Sequence, residues 1–296
     1  MRVTNNMMFN SLRDGMASAG ERLLKVHQML STGKRITRPS DDPVAMTISA
    51  GYKNVLNGLE QYERNIEFTG DYLANADTAL SSVNDTLVRL KELSVLTRNE
   101  TMDAQTRFYA SYEVQGLLDH LISIGNTKVG DVYLFSGFLT DTETFDAAGT
   151  YNGDSNESKV FINKGTTFTY GLTGDRIFKG VGVPGGVDIL QSVSDFKVAL
   201  ETNDITTIGN TIGLIDRAMG QISGVTADLG GRINRLQSSK EHIQGFSLTI
   251  KEMISNMEDA DFADISTRLV KEQTNLEALQ LTGAKFTGLS IFSFLR

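Results

Sequence analysis

One glycine-rich segment has a spacing that could serve cofactor chemistry. Residues 180–185 read GVGVPG and fit the G-x-G-x-x-G pattern that places a dinucleotide pyrophosphate at a helix N-terminus. A possible strand, DRIFK, precedes it, and a possible helix follows from Val187. The context argues against this function, because Pro184 removes a backbone donor and the chain continues into a long helix instead of a second parallel strand. We therefore predict no nucleotide cofactor.

Residues that could bind a metal or transfer protons are scattered. The chain has no cysteine, and His27, His120 and His242 lie in helical patterns without a second ligand at suitable spacing. Asp41 and Asp42 are adjacent, so helix capping is a simpler role for them than paired acid and base catalysis. No G-x-S-x-G nucleophile context occurs. The sequence predicts a protein that is not an enzyme and has no metal site and no cofactor.

Charge and hydropathy narrow the classes of partner. The formal net charge is -8, although residues 1–45 carry seven basic against four acidic side chains. Binding of nucleic acid needs a basic face, so we predict no nucleic-acid partner. No stretch approaches the ~18 apolar residues of a membrane span, and the N-terminus lacks the apolar core of a secretory signal. We predict no membrane partner and no Sec-type export.

Heptad repeats assign most of the chain to helices. Two long repeats, from Ile48 to Leu90 and from Ile205 to Met257, each predict a helix much longer than average. Shorter repeats predict a helix at each end of the chain. The N-terminal stripe consists of Phe9, Leu12, Met16, Ala19, Leu23, Val26 and Leu30, and the C-terminal stripe of Phe262, Ile265, Leu269, Leu276, Leu279, Phe286 and Leu289. Because three heptads are marginal as an isolated helix, we expect other copies of the chain to cover these stripes.

The centre of the chain differs in composition. Residues 137–186 are rich in glycine, and strand-like runs occur at 132–135, 159–163 and 167–172. We predict a mainly α fold in which long heptad-patterned helices fold back into a bundle or coiled coil, with a small inserted β-rich domain. The predicted domains are a terminal helical assembly domain (1–42 with 260–296), a long-helix bundle (43–136 with 187–259) and the β-rich insert (137–186).

Two interruptions separate the short terminal helices from the long ones. The first, STGKRITRPSDDP at 31–43, offers Gly33 to end one helix and the pair Asp42-Pro43 to begin the next. The second is EDAD at 258–261. Both interrupt helices at the same depth of a chain that runs out and back, so we predict that they lie together and that their charges pair. An ordinary charged connector is the alternative. The assigned residues are Gly33, Lys34, Arg35, Pro39, Ser40, Asp41, Asp42 and Pro43, with Glu258, Asp259 and Asp261.

Several segments resemble the bacterial flagellin superfamily. They are LSTGKRITRPSDDPVA near the N-terminus, LVRLKELSVLTRN at 87–99, ISNMEDADFADIST at 254–267 and the C-terminal LSIFSFLR. Within the superfamily, the opening MRVTNNMMF, the paired prolines and GDVYLFSGFLTDTETF at 130–145 are more similar to the branch that joins hook to filament than to flagellin. Flagellin is the main alternative, and a coiled-coil adhesin or signalling stalk is a weaker one.

The resemblance implies a structural role outside the cell. Members are exported unfolded through the flagellar type III channel and assemble at the hook–filament junction, where the layer templates flagellin assembly. In the family the terminal helices form an inner tube, the first interruption a spoke, and the central insert faces outward. The implied partners are further copies in a helical layer, the other junction protein, flagellin, and an export chaperone on the C-terminal helix, assigned here to Leu269, Leu276, Leu279 and Phe286.

Overall fold

The structure, a computed structural model, describes the backbone of residues 2–294 and the side chains of residues 6–285. Within these residues the chain is mainly α, which confirms the predicted fold class. The helices are α1 (Arg2–Thr32), α2 (Pro43–Thr97), α3 (Ala104–Gly125), α4 (Gly174–Phe178), α5 (Ile189–Glu201), α6 (Ile205–Glu258) and α7 (Phe262–Phe294). The strands are β1 (Lys128–Val129), β2 (Val132–Tyr133), β3 (Lys159–Asn163) and β4 (Thr166–Thr169).

The chain divides into two compact units. Unit 1 takes in Met1–Gly58 and Phe246–Arg296, and unit 2 takes in Leu59–Gly245. Both long helices contribute to both units, because α2 and α6 continue through the unit boundaries. The division into three functional domains that the sequence suggests stays a prediction.

In unit 1 the two terminal helices form an antiparallel pair. Arg22 of α1 donates to Glu272 of α7 at 3.1 Å, which sets the register of the pair. Further from the helix breaks, Gly283 of α7 is so close to α1 that an added Cβ would lie 3.0 Å from the side chains of Leu12 and Met16. The small residue therefore permits close approach of the two helices.

In unit 2 the heptad leucines and isoleucines of α2 and α6 are buried. Those of α2 are Leu59, Ile66, Leu73, Leu80 and Leu87, and those of α6 are Ile208, Ile215, Ile222, Leu229, Leu236 and Ile243. Polar pairs along the edge give the relative direction: Gln244 donates to Glu63, Lys240 to Glu67, and Lys91 pairs with Asp216. Each step forward along α2 matches an equal step backward along α6, so the two long helices are antiparallel here.

The β structure is smaller than the sequence suggested. Two antiparallel hairpins form, β1 with β2 and β3 with β4. The predicted run 159–163 is β3, whereas the run 132–135 is paired only at Val132 and Tyr133, and the run 167–172 corresponds to a strand at 166–169. Leu134 and Phe135 leave the hairpin because they are buried in the core of the unit, at 1% and 0% exposure.

The segment preceding the glycine-rich motif is helical, so the possible strand at DRIFK that a dinucleotide-binding motif would need does not form. Gly174–Phe178 forms α4, and its Ile177 and Phe178 are fully buried. In the motif, the positive φ of Gly180, Gly182 and Gly185 shapes a tight loop. Gln221 of α6 holds this loop, since its Oε1 accepts from the Val187 amide at 2.9 Å and its Nε2 donates to the Ile177 carbonyl at 2.7 Å. The Gln221 amide thus joins the backbone before the motif to the backbone after it.

Candidate functional site

The helix ends at the two interruptions follow from local backbone chemistry. Gly33 adopts a φ of 68°, and its amide donates to the Met29 carbonyl at 2.8 Å, which closes α1. Asp42 Oδ1 accepts from the Ala45 amide at 3.0 Å at the start of α2. Asp261 Oδ1 accepts from the Ala263 amide at 2.8 Å at the start of α7. The helix boundaries on both sides of the breaks are therefore those that the capping residues predict.

Backbone hydrogen bonds join the two interruptions inside unit 1. The Glu258 carbonyl accepts from the Arg35 amide at 2.6 Å and from the Ile36 amide at 3.4 Å. The Ala260 amide donates to the Gly33 carbonyl at 2.9 Å, so that Lys34 and Asp259 face each other as an isolated antiparallel pair. We call the assembly of residues 33–42, residues 258–261, Ser49 and Lys53 the break cluster. The sequence-predicted proximity of the two breaks is thus observed.

The carboxylate of Glu258 is the centre of the break cluster. It is only 2% exposed, and Lys34 Nζ donates to its Oε2 at 2.7 Å. Its Oε1 accepts from Lys53 Nζ and from Ser49 Oγ, both on the first turns of α2. Every oxygen of this buried carboxylate therefore has a donor, and two of the three donors carry positive charge.

This arrangement lowers the pKa of Glu258. Burial on its own opposes ionisation, but the hydrogen bonds from Lys34, Lys53 and Ser49 outweigh it and bring the pKa from 4.5 to about 2. The carboxylate is therefore charged at neutral pH and joins three separate segments: the connector through Lys34, the start of α2 through Ser49 and Lys53, and its own break between α6 and α7.

A second carboxylate, Asp41, ties the connector to α1. Its Oδ1 lies 2.8 Å from Lys25 Nζ, and its Oδ2 accepts from the amides of Thr37 at 3.2 Å and Arg38 at 3.1 Å. The hydrogen bond from Lys25 contributes most, followed by the two amides, in holding the pKa of Asp41 well below its usual value. The connector is thus fixed at both ends, to α1 by Asp41 and to the second break by Glu258.

The other predicted break residues have weaker roles. Arg35 donates to the Met257 carbonyl at 3.0 Å and approaches Asp42 at 3.9 Å. Asp259 accepts from Ser255 of its own helix and not from the connector side chains. Pro39 and Ser40 are exposed at the tip of the connector, and Pro43 is the first residue of α2.

Three residues that contact the two interruptions were not predicted from the sequence: Lys25, Ser49 and Lys53. Ser49 is fully buried on α2, and Lys53 lies one helical turn further on the same face. A serine on a buried helix face is a weak signal for a polar partner. Nothing in the local pattern identifies Glu258, more than 200 residues away, as that partner.

The predicted assembly stripes lie mostly between the two terminal helices. Val26 and Ile265 are buried, and the half-buried members are Leu12, Met16, Leu23, Leu30, Leu269, Leu276 and Leu279. Phe9 is 58% exposed. The antiparallel partner helix of the same chain covers part of each stripe and leaves most of these residues half-buried, so the expectation that other copies complete the cover stays a prediction. The side chains of Phe286 and Leu289 lie outside the described residues.

A second set of apolar side chains on the terminal helices is exposed to solvent. On α1, Leu24 is 71% exposed, and on α7 Phe262, Val270 and Leu281 are 70%, 63% and 66% exposed. Leu24, Val270 and Leu281 lie off the heptad stripes, whereas Phe262 is the first residue of the C-terminal stripe and is exposed although the heptad pattern predicts burial. Together with Met7, Met8 and Phe9 of α1, they form the exposed apolar surface of the described part of the terminal pair.

The residues considered for catalysis or metal binding do not converge. His27, His120 and His242 are all exposed on helices, far apart in the chain. Among the described residues no group of three or more histidine, cysteine and acidic side chains could hold a metal ion. The helices of the described range also lack a stretch with the length and hydropathy that a membrane crossing requires.

Comparison with known proteins gives matches at both ends of the chain. The model of the bacterial flagellin N-terminal helical region matches residues 3–140, and that of the bacterial flagellin C-terminal helical region matches residues 212–290. Together these two regions make up well over half of the chain, and they contain α1, α7, both interruptions and most of the long helices.

Individual relatives are similar over nearly the full length. The flagellar hook-associated protein 3 of Salmonella typhimurium is 25% identical over 317 residues, covering 100% of both chains. A flagellin of Listeria monocytogenes is 25% identical over 271 residues, covering 92% of this chain and 90% of the flagellin. A solved structure from Vibrio parahaemolyticus, described as a flagellar hook-associated protein, has a TM-score of 0.69 at 23% identity, covering 74% of this chain and 100% of that one. This last likeness shows that the fold is shared.

Proposed function

The chain belongs to the flagellin superfamily, and from that premise we propose that it is a structural subunit of the bacterial flagellum that forms the layer between hook and filament. One observation carries the proposal: the similarity to hook-associated protein 3 extends over 100% of both chains. It therefore includes the central segment between the two family regions, and the junction-like motif at 130–145 leads into that segment.

The surface of the terminal helices supports an assembling subunit. The paired helices cover part of each other's heptad stripes and leave Phe9, Leu24, Phe262, Val270 and Leu281 exposed. Exposed apolar groups of this number on one helix pair favour contact with further protein. In the proposal, other copies in a helical layer supply that contact, and the terminal pair forms the inner tube.

The break cluster supports the role of the interruptions as a spoke. A spoke must hold the inner helix pair in a fixed position relative to the long helices, so it needs to be rigid. The connector is a short extended segment without a hydrophobic core, so its rigidity has to come from contacts with its neighbours. Three contacts fix the connector: its backbone pairing with the second break, the Glu258 carboxylate and the Lys25–Asp41 ion pair. We propose that these contacts set the direction in which the terminal pair leaves the long helices.

The partners follow from this position in the flagellum. Contact with the other junction protein on the hook side and with flagellin on the filament side is part of the proposal, as is export through the type III channel. An export chaperone that binds Leu269, Leu276 and Leu279 would compete with α1, because these three side chains are half-buried against it. Chaperone binding and formation of the terminal pair are then mutually exclusive.

Deletion of the gene tests the function. We expect cells that still build hooks, secrete flagellin into the medium and grow no filaments, with motility restored by the intact gene. Electron microscopy of the hooks and immunoblotting of the medium measure these outcomes. Filaments of normal length in the deletion strain would contradict a junction role.

Flagellin itself is the second candidate, because the Listeria flagellin is also 25% identical, although over 92% of this chain and not 100%. The two functions differ in the product that the purified chain forms. A flagellin is expected to extend seeds into long filaments, whereas a junction subunit is expected to add a short layer to hook ends and stop. Electron microscopy of hooks incubated with the chain distinguishes them.

A further inference from the structure

The chain contains two Asn-Gly dipeptides, Asn57-Gly58 and Asn152-Gly153. In such a pair the backbone nitrogen of the glycine can attack the side-chain carbonyl carbon of the asparagine, because glycine has no Cβ to hinder the approach. The reaction expels the side-chain amide as ammonia and needs no enzyme. In a folded protein its rate depends on how firmly the glycine amide and the asparagine side chain are held.

The two dipeptides lie in opposite backbone environments. Asn57 and Gly58 are inside α2, where the Gly58 amide donates to the carbonyl four residues earlier in the helix. Asn152 and Gly153 lie in the loop between β2 and β3. Asn152 is exposed, and its side chain has no hydrogen-bond partner among the described residues. The Gly153 amide likewise donates to no group within the part of the chain that the structure describes.

A free backbone nitrogen and a free side-chain amide are therefore adjacent at the second dipeptide. We propose that Asn152 is a site of spontaneous deamidation in the folded protein, whereas the helix protects Asn57. This modification goes beyond the junction role and does not depend on it.

The reaction consists of a ring closure followed by hydrolysis. The Gly153 nitrogen bonds to Asn152 Cγ and loses its proton to water, the Cγ–Nδ2 bond breaks, and the departing nitrogen takes up a proton and leaves as ammonia. The product is a five-membered succinimide ring. Water then opens the ring at either carbonyl and gives aspartate or isoaspartate.

The residues on both sides of the dipeptide hold a neighbouring segment. Tyr151 Oη donates to the Phe135 carbonyl at 3.1 Å, and the Asp154 amide donates to the Ser136 carbonyl at 3.1 Å. Asp154 Oδ1 also accepts from the Phe138 amide at 2.8 Å. One anchor before the dipeptide and one after it thus fix this segment.

The two products differ in their effect on these anchors. Aspartate adds a negative charge at an exposed position and leaves the length of the backbone unchanged. Isoaspartate inserts an extra methylene into the backbone, so Tyr151 and Asp154 lose their present spacing. The site has little room for such a change, since a Cβ added at Gly153 would lie 2.7 Å from the Ser136 carbonyl oxygen. We expect isoaspartate to release residues 135–138 and aspartate to leave them in place.

Ageing of the purified full-length chain at slightly alkaline pH tests the proposal. Mass spectrometry of tryptic peptides measures the mass difference between the amide and the acid, and Asn57 in the same chain is the matched control. We expect Asn152 to be converted about tenfold faster than Asn57, because α2 must open locally before the Gly58 amide can react. Equal rates, or an Asn152 that stays intact, would overturn the proposal.

A second arm in guanidinium chloride separates structure from sequence. In the unfolded chain both glycine amides are free, so the two asparagines should react at rates within about twofold of each other. If Asn57 is still far slower there, its neighbours in the sequence protect it and the helical explanation is wrong. The variant Asn152→Gln should stay unmodified at this position in both arms, because its longer side chain would have to close a less favourable six-membered ring.

Chymotrypsin cleavage after Phe138 measures the structural consequence, since Phe138 is 58% exposed and lies in the anchored segment. Aged chain that contains isoaspartate should be cut there several-fold faster than fresh chain. Asn152→Asp adds the charge without lengthening the backbone and should be cut at the rate of fresh chain. Unchanged cleavage of the aged chain would overturn the expected release of the segment. Failure in any of these assays leaves the junction role standing, because the gene deletion tests that role separately.

Discussion

Replacement of Glu258 by glutamine tests the central contact of the break cluster. The substitution keeps the shape of the side chain and removes its charge, so Lys34 and Lys53 lose their common anion. Both lysines are 44% exposed and can turn to solvent, whereas the glutamine amide stays in a site where Glu258 is 2% exposed. The change therefore removes the ion pairs without leaving a buried cation behind.

The size of the effect follows from the pKa of Glu258, which folding lowers from 4.5 to about 2. A carboxyl whose pKa is lowered on folding stabilises the folded state above its unfolded pKa and loses that contribution as the pH falls through the folded pKa. The shift corresponds to about 3 kcal/mol at pH 7 and to roughly half of that at pH 3. The difference in free energy of unfolding between the wild type and Glu258→Gln should shrink accordingly.

Urea unfolding of unit 1 measures this difference. A fluorophore on a cysteine introduced at the exposed Ser31, next to the end of α1, reports on this unit specifically. Glu252→Gln is the matched control, since Glu252 is exposed nearly two turns earlier on α6 and should change stability by less than about 0.5 kcal/mol. Equal stability of the wild type and Glu258→Gln at pH 7, or a difference that is the same at pH 7 and pH 3, would refute the reasoning.

Three further substitutions test other contacts. Arg107→Lys should lower the free energy of unfolding of unit 2 by about 1–3 kcal/mol in thermal melts. The buried guanidinium donates to three oxygens at 2.6–2.8 Å, and one ammonium group cannot reach all three. An unchanged melting temperature would contradict this. Gly283→Leu should overpack the α1–α7 pair, because even an added Cβ would lie 3.0 Å from side chains of α1. Proteolysis of both terminal helices should therefore be faster than in the control Ala284→Leu, whose position is exposed. Asp41→Asn should accelerate trypsin cleavage after Arg35 several-fold at pH 7, because the ion pair with Lys25 no longer anchors the connector. The control is Asp14→Asn, at an exposed position elsewhere on α1, and it should leave the cleavage rate unchanged.

The helices were predictable because their signals are local. Heptad spacing placed the long helices and the two terminal ones, and capping chemistry at Gly33 and Asp42 placed the helix ends at the first interruption. The errors have a common cause. At 174–178 and 132–135, apolar residues favoured strands by composition, but burial against the rest of unit 2 decided their conformation.

The partners of individual side chains were not predictable from the sequence. The terminal stripes were visible as apolar heptads, but a heptad does not specify whether a helix of the same chain or another copy covers it. Likewise, Lys34 and Glu258 could be assigned to two facing interruptions, yet Ser49 and Lys53 were absent from that assignment.

The sequence by itself determined which segments are helical, where the helices stop, and that the stops carry opposite charges, since these depend on spacing and on capping within a few residues. Only the tertiary structure decided that Glu258 is buried under three donors, that α1 and α7 cover each other, and that Leu24, Arg38 and Phe262 stay exposed. The physical reason is that burial depends on which surfaces meet, and residues more than 200 positions apart acquire a common environment only when the chain folds back on itself.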